Sequence, residues 1–285
     1  MNTVTITLGP TRIERVTEVD HWPFPPAALF PAVTPRHLCC ADGDLDLSIT
    51  THVVRTPDAV VLVDSGNGNA KQRPTLPPHD MFATDYLDRL ATTGVRPEDV
   101  DVVVSTHLHP DHCGGNTRLV DEKWVPTFPR ARYLFSRTEF EWLASIHAAA
   151  PAEGPGAALA ATFADSVLPI LDAGLADLVD VPATVAEGID LVAMPGHTAG
   201  HLIAEITGGG TTALVTGDVL HHPLQFTDLA LAQAGDADPD LAARSRRIVC
   251  DRAADLGAVV LPAHFGGPDG GRITRAGDGF RYADR

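Results

Sequence analysis

At 285 residues with 44% hydrophobic content, the chain is long enough to bury a substantial core. A formal net charge of −16 works against a nucleic-acid partner, because holding phosphates takes clustered Lys and Arg. No basic start leads into a signal-like apolar run, and nowhere do about 18 apolar residues run unbroken, so the expectation is a cytoplasmic protein without a membrane span. Cysteine is sparse. Cys39 and Cys40 are adjacent and no C-x-x-C pattern occurs, which predicts free thiols at 39, 40, 113 and 250 in a reducing compartment.

The alternating runs VTITL and TRIERVTEV open the chain as strands. Residues 21–35 are too rich in proline for a helix or a central strand and read as an irregular loop. Strand-like runs follow at 46–56 and 59–66, then apolar residues at helical spacing (Met81, Phe82, Tyr86, Leu87 and Leu90) predict a helix over 80–94. Residues 99–106 form a buried strand that runs straight into STHLHPDHCGGN.

The second half repeats this grammar. Ser136 and Glu139 stand in capping-box spacing ahead of a helix to 147. Three strands are predicted at 190–197, 201–207 and 212–218, with Gly208–Gly210 turning between the last two. Asp238 caps a helix that starts on Pro239 and stops at Gly257, followed by a strand at 258–264 and a hairpin around Gly277–Gly279. No low-complexity linker separates the halves. The reading is a single domain over residues 1–285, with two sheets inside and helices outside.

Polar ligands recur where strand-like runs end. His107 and His109 follow the first, pointing one way if the strand's alternation continues, and Pro110 then turns Asp111 and His112 toward a second point. His197, Asp218 and His264 end three later strands. Seven nitrogen and oxygen ligands without thiolate suit Zn²⁺, Mn²⁺, Fe²⁺ or Co²⁺ and exceed what one tetrahedral ion takes. Two divalent ions, zinc foremost, sharing a carboxylate fit the inventory, and they would acidify a water for attack. Four such groups packed into six positions without a cation would desolvate one another.

HLHPDH, PGHTAGH, TGD and PAH, in that order, resemble the metallo-β-lactamase-fold metallohydrolases. The likeness covers residues 45 to 270, and VDSGNGN at 63–69 is similar to that superfamily's Asp-Gly loop. It implies an α+β, four-layer αββα sandwich with two mixed sheets. It also implies one ion on His107, His109 and His197, another on Asp111, His112 and His264, and Asp218 bridging. Asp218 and the hairpin tail look more like the N-acyl-homoserine lactonase and methyl parathion hydrolase branch, although lactonases of that group place a tyrosine where His221 stands. The activity implied is hydrolysis of a lactone or carboxylic ester, or of an organophosphate, by a hydroxide held between the ions. Asp111, Asp218 and His221 would be the catalytic groups, with His221 protonating the leaving alkoxide. Thioester hydrolysis, non-haem iron redox chemistry and a metal-stabilised scaffold are the alternatives.

The expected partner is a small-molecule substrate, with the chain a monomer or homodimer. Specificity is expected from the 21–40, 147–165 and 221–237 segments, the Ala-rich 147–170 region forming a lid or a dimer contact. Aromatics at 22, 24, 30, 124, 128 and 226 are candidates for pocket walls. Asp64 and Ser65 are candidates to orient ligand histidines. His201 and Cys113 read as structural, and His37 and His52 as unrelated to the metals.

Overall fold

The computed structural model of the chain describes residues 5–38, 43–266 and 270–284. Cys39 and Cys40 lie outside the described residues. The first strands are β1 (Thr5–Leu8), β2 (Thr11–Phe24), β3 (Leu45–Arg55), β4 (Val60–Val63) and β5 (Val102–Val104). A separate hairpin pairs β6 (Thr117–Val120) with β7 (Lys123–Pro126), and β8 (Arg132–Ser136) and β9 (Ala176–Val179) return to the first sheet. Its order is β1-β2-β3-β4-β5-β8-β9, antiparallel up to β4 and parallel beyond.

The second sheet runs in chain order through β10 (Ala183–Ala186), β11 (Ile189–Ala193), β12 (Leu202–Gly208), β13 (Thr211–Gly217), β14 (Val259–Pro262), β15 (Gly271–Ala276) and β16 (Gly279–Asp284). Only its β13–β14 pair is parallel. Helices α1 (Pro26–Leu29), α2 (Tyr86–Thr92), α3 (Pro110–Cys113), α4 (Arg137–Ala149), α5 (Gly154–Thr162), α6 (Leu168–Asp172) and α7 (Pro239–Leu256) complete the chain.

Strand alternation builds the layers. Val61 and Val63 of β4 meet Leu191, Leu202 and Val215 between the sheets, while Leu62 turns outward to Leu90 of α2 and Leu143 of α4. On the other side, Ile203 and Leu214 turn outward to Val249, Cys250 and Ala253 of α7. The result is the four-layer αββα sandwich expected, its central strands apolar on both faces because both faces are covered.

Several local expectations are corrected. Residues 21–24 continue β2, with Trp22 opposite Leu47 and Phe24 opposite Leu45. β1 pairs with Thr11–Glu14, so among the described residues no strand lies on the far side of Pro23, where its missing N–H costs little. Residues 80–85 are not helical; α2 begins at Tyr86, and Met81 is 54% exposed. Ser136 makes no side-chain capping bond and the Glu139 carboxylate accepts from other N–H groups, so the predicted capping box does not form.

From Gly154 to Asp172 the chain is helical throughout, α5 passing through a five-residue π turn (Phe163–Val167) into α6. By length and composition alone this stretch is long and apolar enough to cross a membrane, although Asp165 interrupts its apolar run. In this fold its apolar residues Phe163, Val167 and Ile170 are buried beside the first sheet. Asp165 within it accepts a two-pronged bond from the buried Arg73 guanidinium, at 2.7 and 2.8 Å.

Candidate metal centre

The seven candidate ligands converge at one end of the sandwich, on segments that leave strand C-termini. β5 stops at Val104, so His107 and His109 occupy a loop rather than a strand, yet their ring centroids lie 4.6 Å apart. The reason is Asp64, which follows β4 in a left-handed conformation (φ 61°). Its carboxylate accepts from the Thr106 N–H at 2.7 Å and from the Thr106 hydroxyl, drawing the chain off the ladder. Pro110 then starts α3, the short helix that carries Asp111 and His112. β11, β13 and β14 deliver His197, Asp218 and His264 from the second sheet.

Two sets of groups could each hold a cation. His107, His109, His197 and Asp218 bring one ligand atom apiece within 4.8 Å of one another, and so do Asp111, His112 and His264. Asp218 faces both. Its Oδ2 lies 3.3 Å from His197 Nε2 and 3.7 Å from His107 Nε2. Its Oδ1 lies 3.0 Å from the Nε2 of both His112 and His264. His221 is buried rather than a surface residue, with Nε2 3.0 Å from Asp218 Oδ2, and Asp218, His221 and His264 form a third such set.

Four of the rings are anchored on the far side, whereas His109 turns its Nδ1 toward His197 Nε2, 3.0 Å away. His112 Nδ1 donates to Asp64 Oδ2 at 2.8 Å, His197 Nδ1 to Asp236 Oδ1 at 3.0 Å, and His264 Nδ1 to the Ser48 carbonyl at 2.8 Å. Thr106 gives its proton to Asp64, so its hydroxyl oxygen accepts from His107 Nδ1 at 3.1 Å. Each anchor places the proton on Nδ1 and leaves the Nε2 lone pair toward the centre. Ser65 acts one step back, its N–H donating to the His112 carbonyl at 2.8 Å. His201 is structural, its Nε2 accepting from the Asp218 N–H at 3.0 Å.

These donors fit a pair of divalent ions. The buried His107 Nε2, His112 Nε2 and Asp218 Oδ1 have no aligned hydrogen-bond partner among the described residues, an arrangement that is costly unless a cation takes the lone pairs. Burial pushes the Asp218 carboxyl up, but the imidazoles of His112, His264 and His221 outweigh it and hold it well below the usual range. Asp111 is brought to about 2 in the same way. Burial drives His107 and His109 well below normal, whereas at His112 the three carboxylates of Asp218, Asp111 and Asp64 overcome burial and raise it. Ionised carboxylates at Asp111 and Asp218 among neutral imidazoles at His107 and His109 make the middle of the site attractive to positive charge, as holding cations requires.

Three residues in the site's support were not legible beforehand. Glu139, read as a cap, is buried and accepts from Leu108 N–H and Gly200 N–H, both at 2.9 Å, tying the His107–His109 loop to the loop after His197. Asp236 receives both His197 Nδ1 and Arg246 Nη1, the latter at 3.2 Å. His79 flanks Asp111, with 3.8 Å between Nδ1 and Oδ1. No motif announces any of them, because their partners are remote in sequence.

A cavity of about 460 Å³ opens onto the centre, with His109, Asp111, His197, Asp218, His221 and His264 in its wall. The three predicted segments supply Trp22, Phe24 and Leu29, then Pro155 and Leu159, then Gln233 to Ala237. Leu76, His79 and Trp142 come from outside those segments. Of the other aromatic candidates, Phe30 and Phe128 are core, Trp124 lies against Lys71, and Phe226 packs on Phe265 and Tyr282. Cys113 is buried core as expected, and His52 is buried away from the centre.

Fold and centre define a class, and residues 45–264 match the family model of the Metallo-beta-lactamase superfamily; the chain belongs to that superfamily. Within it, the chain is 28% identical over 229 residues to an N-acyl homoserine lactonase of Bacillus thuringiensis, covering 75% of this chain and 77% of that one. A Bacillus sp. N-acyl homoserine lactonase is 26% identical over 185 residues, and the match spans 60% of this chain and 63% of the relative's length. Among solved structures it is similar to AidC, a dizinc quorum-quenching lactonase in complex with a homoserine product (TM-score 0.83, 23% identity, 100% of this chain and 97% of that). It is similar too to the hydrolase AbOPH of the beta lactamase superfamily (TM-score 0.86, 21% identity, 99% and 97%).

Proposed function

We propose that this chain, a metal-dependent hydrolase, opens a lactone or cleaves a carboxylic ester at a centre of two divalent ions, zinc foremost. The observation that carries the reading is Asp218, whose two carboxylate oxygens each face a different set of imidazoles. His107, His109 and His197 would hold one ion, Asp111, His112 and His264 the other, with Asp218 shared. When bound, such a pair supplies Lewis acidity, making water nucleophilic near neutral pH and drawing electron density from a substrate oxygen.

The chain's own groups do the rest. Asp64 and Asp236 keep the ligand rings in one tautomer. Trp22, Phe24, Leu29 and Leu159 receive the apolar part of the substrate and exclude water from the centre. His221, buried beside Asp218 and open to the same cavity, holds a proton that passes to the oxygen of the departing alkoxide. The lactonase relatives support a lactone before an organophosphate.

The test is a panel of lactone, ester, thioester and phosphotriester substrates, run with metal-loaded and chelated protein. Lactone or ester turnover that chelation abolishes and zinc restores is the expected outcome. Full turnover by an Asp218→Ala variant would refute the shared-carboxylate role.

A further inference from the structure

We infer that His79 is a specificity-determining residue: it accepts a hydrogen bond from a substrate N–H or O–H next to the scissile carbonyl, an inference that rests on the hydrolase reading above. The argument starts at Asn67, which is buried on the loop after β4, its N–H bonded to Glu18 Oε2 at 2.6 Å. The Asn67 side-chain nitrogen donates to two carbonyls, of Gly68 at 3.3 Å and of His79 at 3.2 Å. That orientation turns Asn67 Oδ1 to His79 Nδ1, 3.1 Å away. A carboxamide oxygen only accepts, so the proton sits on Nδ1 and Nε2 is left with a lone pair.

The ring itself is held in place. The Pro77–His79 turn carries it, Trp22 meets it edge-on with centroids 5.0 Å apart, and Asp111 Oδ1 is 3.8 Å from Nδ1. The imidazole lines the cavity between the Asp111 side of the centre and a wall of Trp22, Phe24, Leu76 and Pro78. Nδ1 is committed to Asn67, so Nε2 is the ring atom left to accept from a group in the cavity, beside the apolar side chains of Trp22, Phe24, Leu76 and Pro78. A wall with one fixed acceptor favours a substrate that brings a donor there, because a substrate without one leaves the acceptor unpaired.

The experiment uses the metal-loaded protein and two lactones of equal ring size and chain length. One carries an amide N–H on the carbon beside the ring carbonyl; the other has a methylene in place of that nitrogen. His79→Phe should raise KM for the N–H lactone about tenfold with kcat held within about twofold, and leave the methylene lactone within about twofold. His79→Gln, which keeps an acceptor oxygen, should stay within about threefold of the parent on the N–H lactone. Equal losses on both lactones, no loss on either, or loss of bound metal from His79→Phe would overturn the assignment. A parent protein that opens neither lactone would instead sink the hydrolase reading, and this inference with it.

Discussion

Asp64 shows how much one residue can settle. In a left-handed conformation that few non-glycine residues adopt, it binds Thr106 and His112 together and so fixes the direction of the whole HLHPDH loop. Asp64→Asn keeps the shape but removes the charge that orients His112; metal affinity, read by competition with a chromogenic chelator, should fall about 10–100-fold. Gly217 is equally specific. At φ 49° a Cβ there would lie 2.7 Å from Thr106 Oγ1 and 2.8 Å from His201 Nε2, so Gly217→Ala should release metal even though no ligand changes. The cysteines behave in the opposite way. Burial pushes the Cys250 thiol up to about 12 and Cys113 well above its ordinary value, which leaves almost no thiolate at pH 8. Peptide mapping after alkylation of the native protein should find both unmodified, and both modified after denaturation.

At the scale of elements, the link between the two halves is a helix residue. Glu139 on α4 binds N–H groups of loops that carry ligands from different sheets, and Gly200 presses against its backbone, with a Cβ there 2.2 Å from the Glu139 nitrogen. Glu139→Ala leaves both N–H groups buried without an acceptor, a cost of about 1–3 kcal/mol for each. The expected outcome is a lower unfolding midpoint together with weaker metal binding; an unchanged metal affinity would make Glu139 a stability residue only. The helices and strands that frame the site were legible where end signals or a sustained apolar run marked them, as with Asp238, Pro239 and Gly257 for α7 and the apolar runs of β12 and β13. They were not legible where the pattern is short. β9 (ADLV) and β10 (ATVA) are too brief and mixed to stand out, and the β6–β7 hairpin turns on Asp121 and Glu122, both left-handed, without the Asn-Gly signal such turns usually carry. The 80–94 prediction failed at its first half because Met81 and Phe82 have helical spacing but serve a loop, where the Met81 N–H bonds the Lys71 carbonyl.

At the scale of the molecule, two sheets meet through one apolar layer and present their strand ends to a common point. Leu191, fully buried between them, is a direct probe of that layer. Leu191→Ala should cost about 2–5 kcal/mol in chemical denaturation, while a loss under about 1 kcal/mol would mean the layer is loosely packed. The candidate ligands could be gathered from the sequence because they are concentrated in a consecutive motif and recur at strand ends. Asp236, Glu139 and His79 were hidden because each acts only through contacts the folded layers create. The central claim is that both sheets contribute to a single two-cation centre shared by Asp218. Anomalous diffraction from crystals of the purified protein, recorded across the zinc edge, tests it most directly. Two peaks flanking the Asp218 carboxylate, one beside His107, His109 and His197 and one beside Asp111, His112 and His264, are predicted. A single peak distant from Asp218, or none after zinc loading, would contradict it.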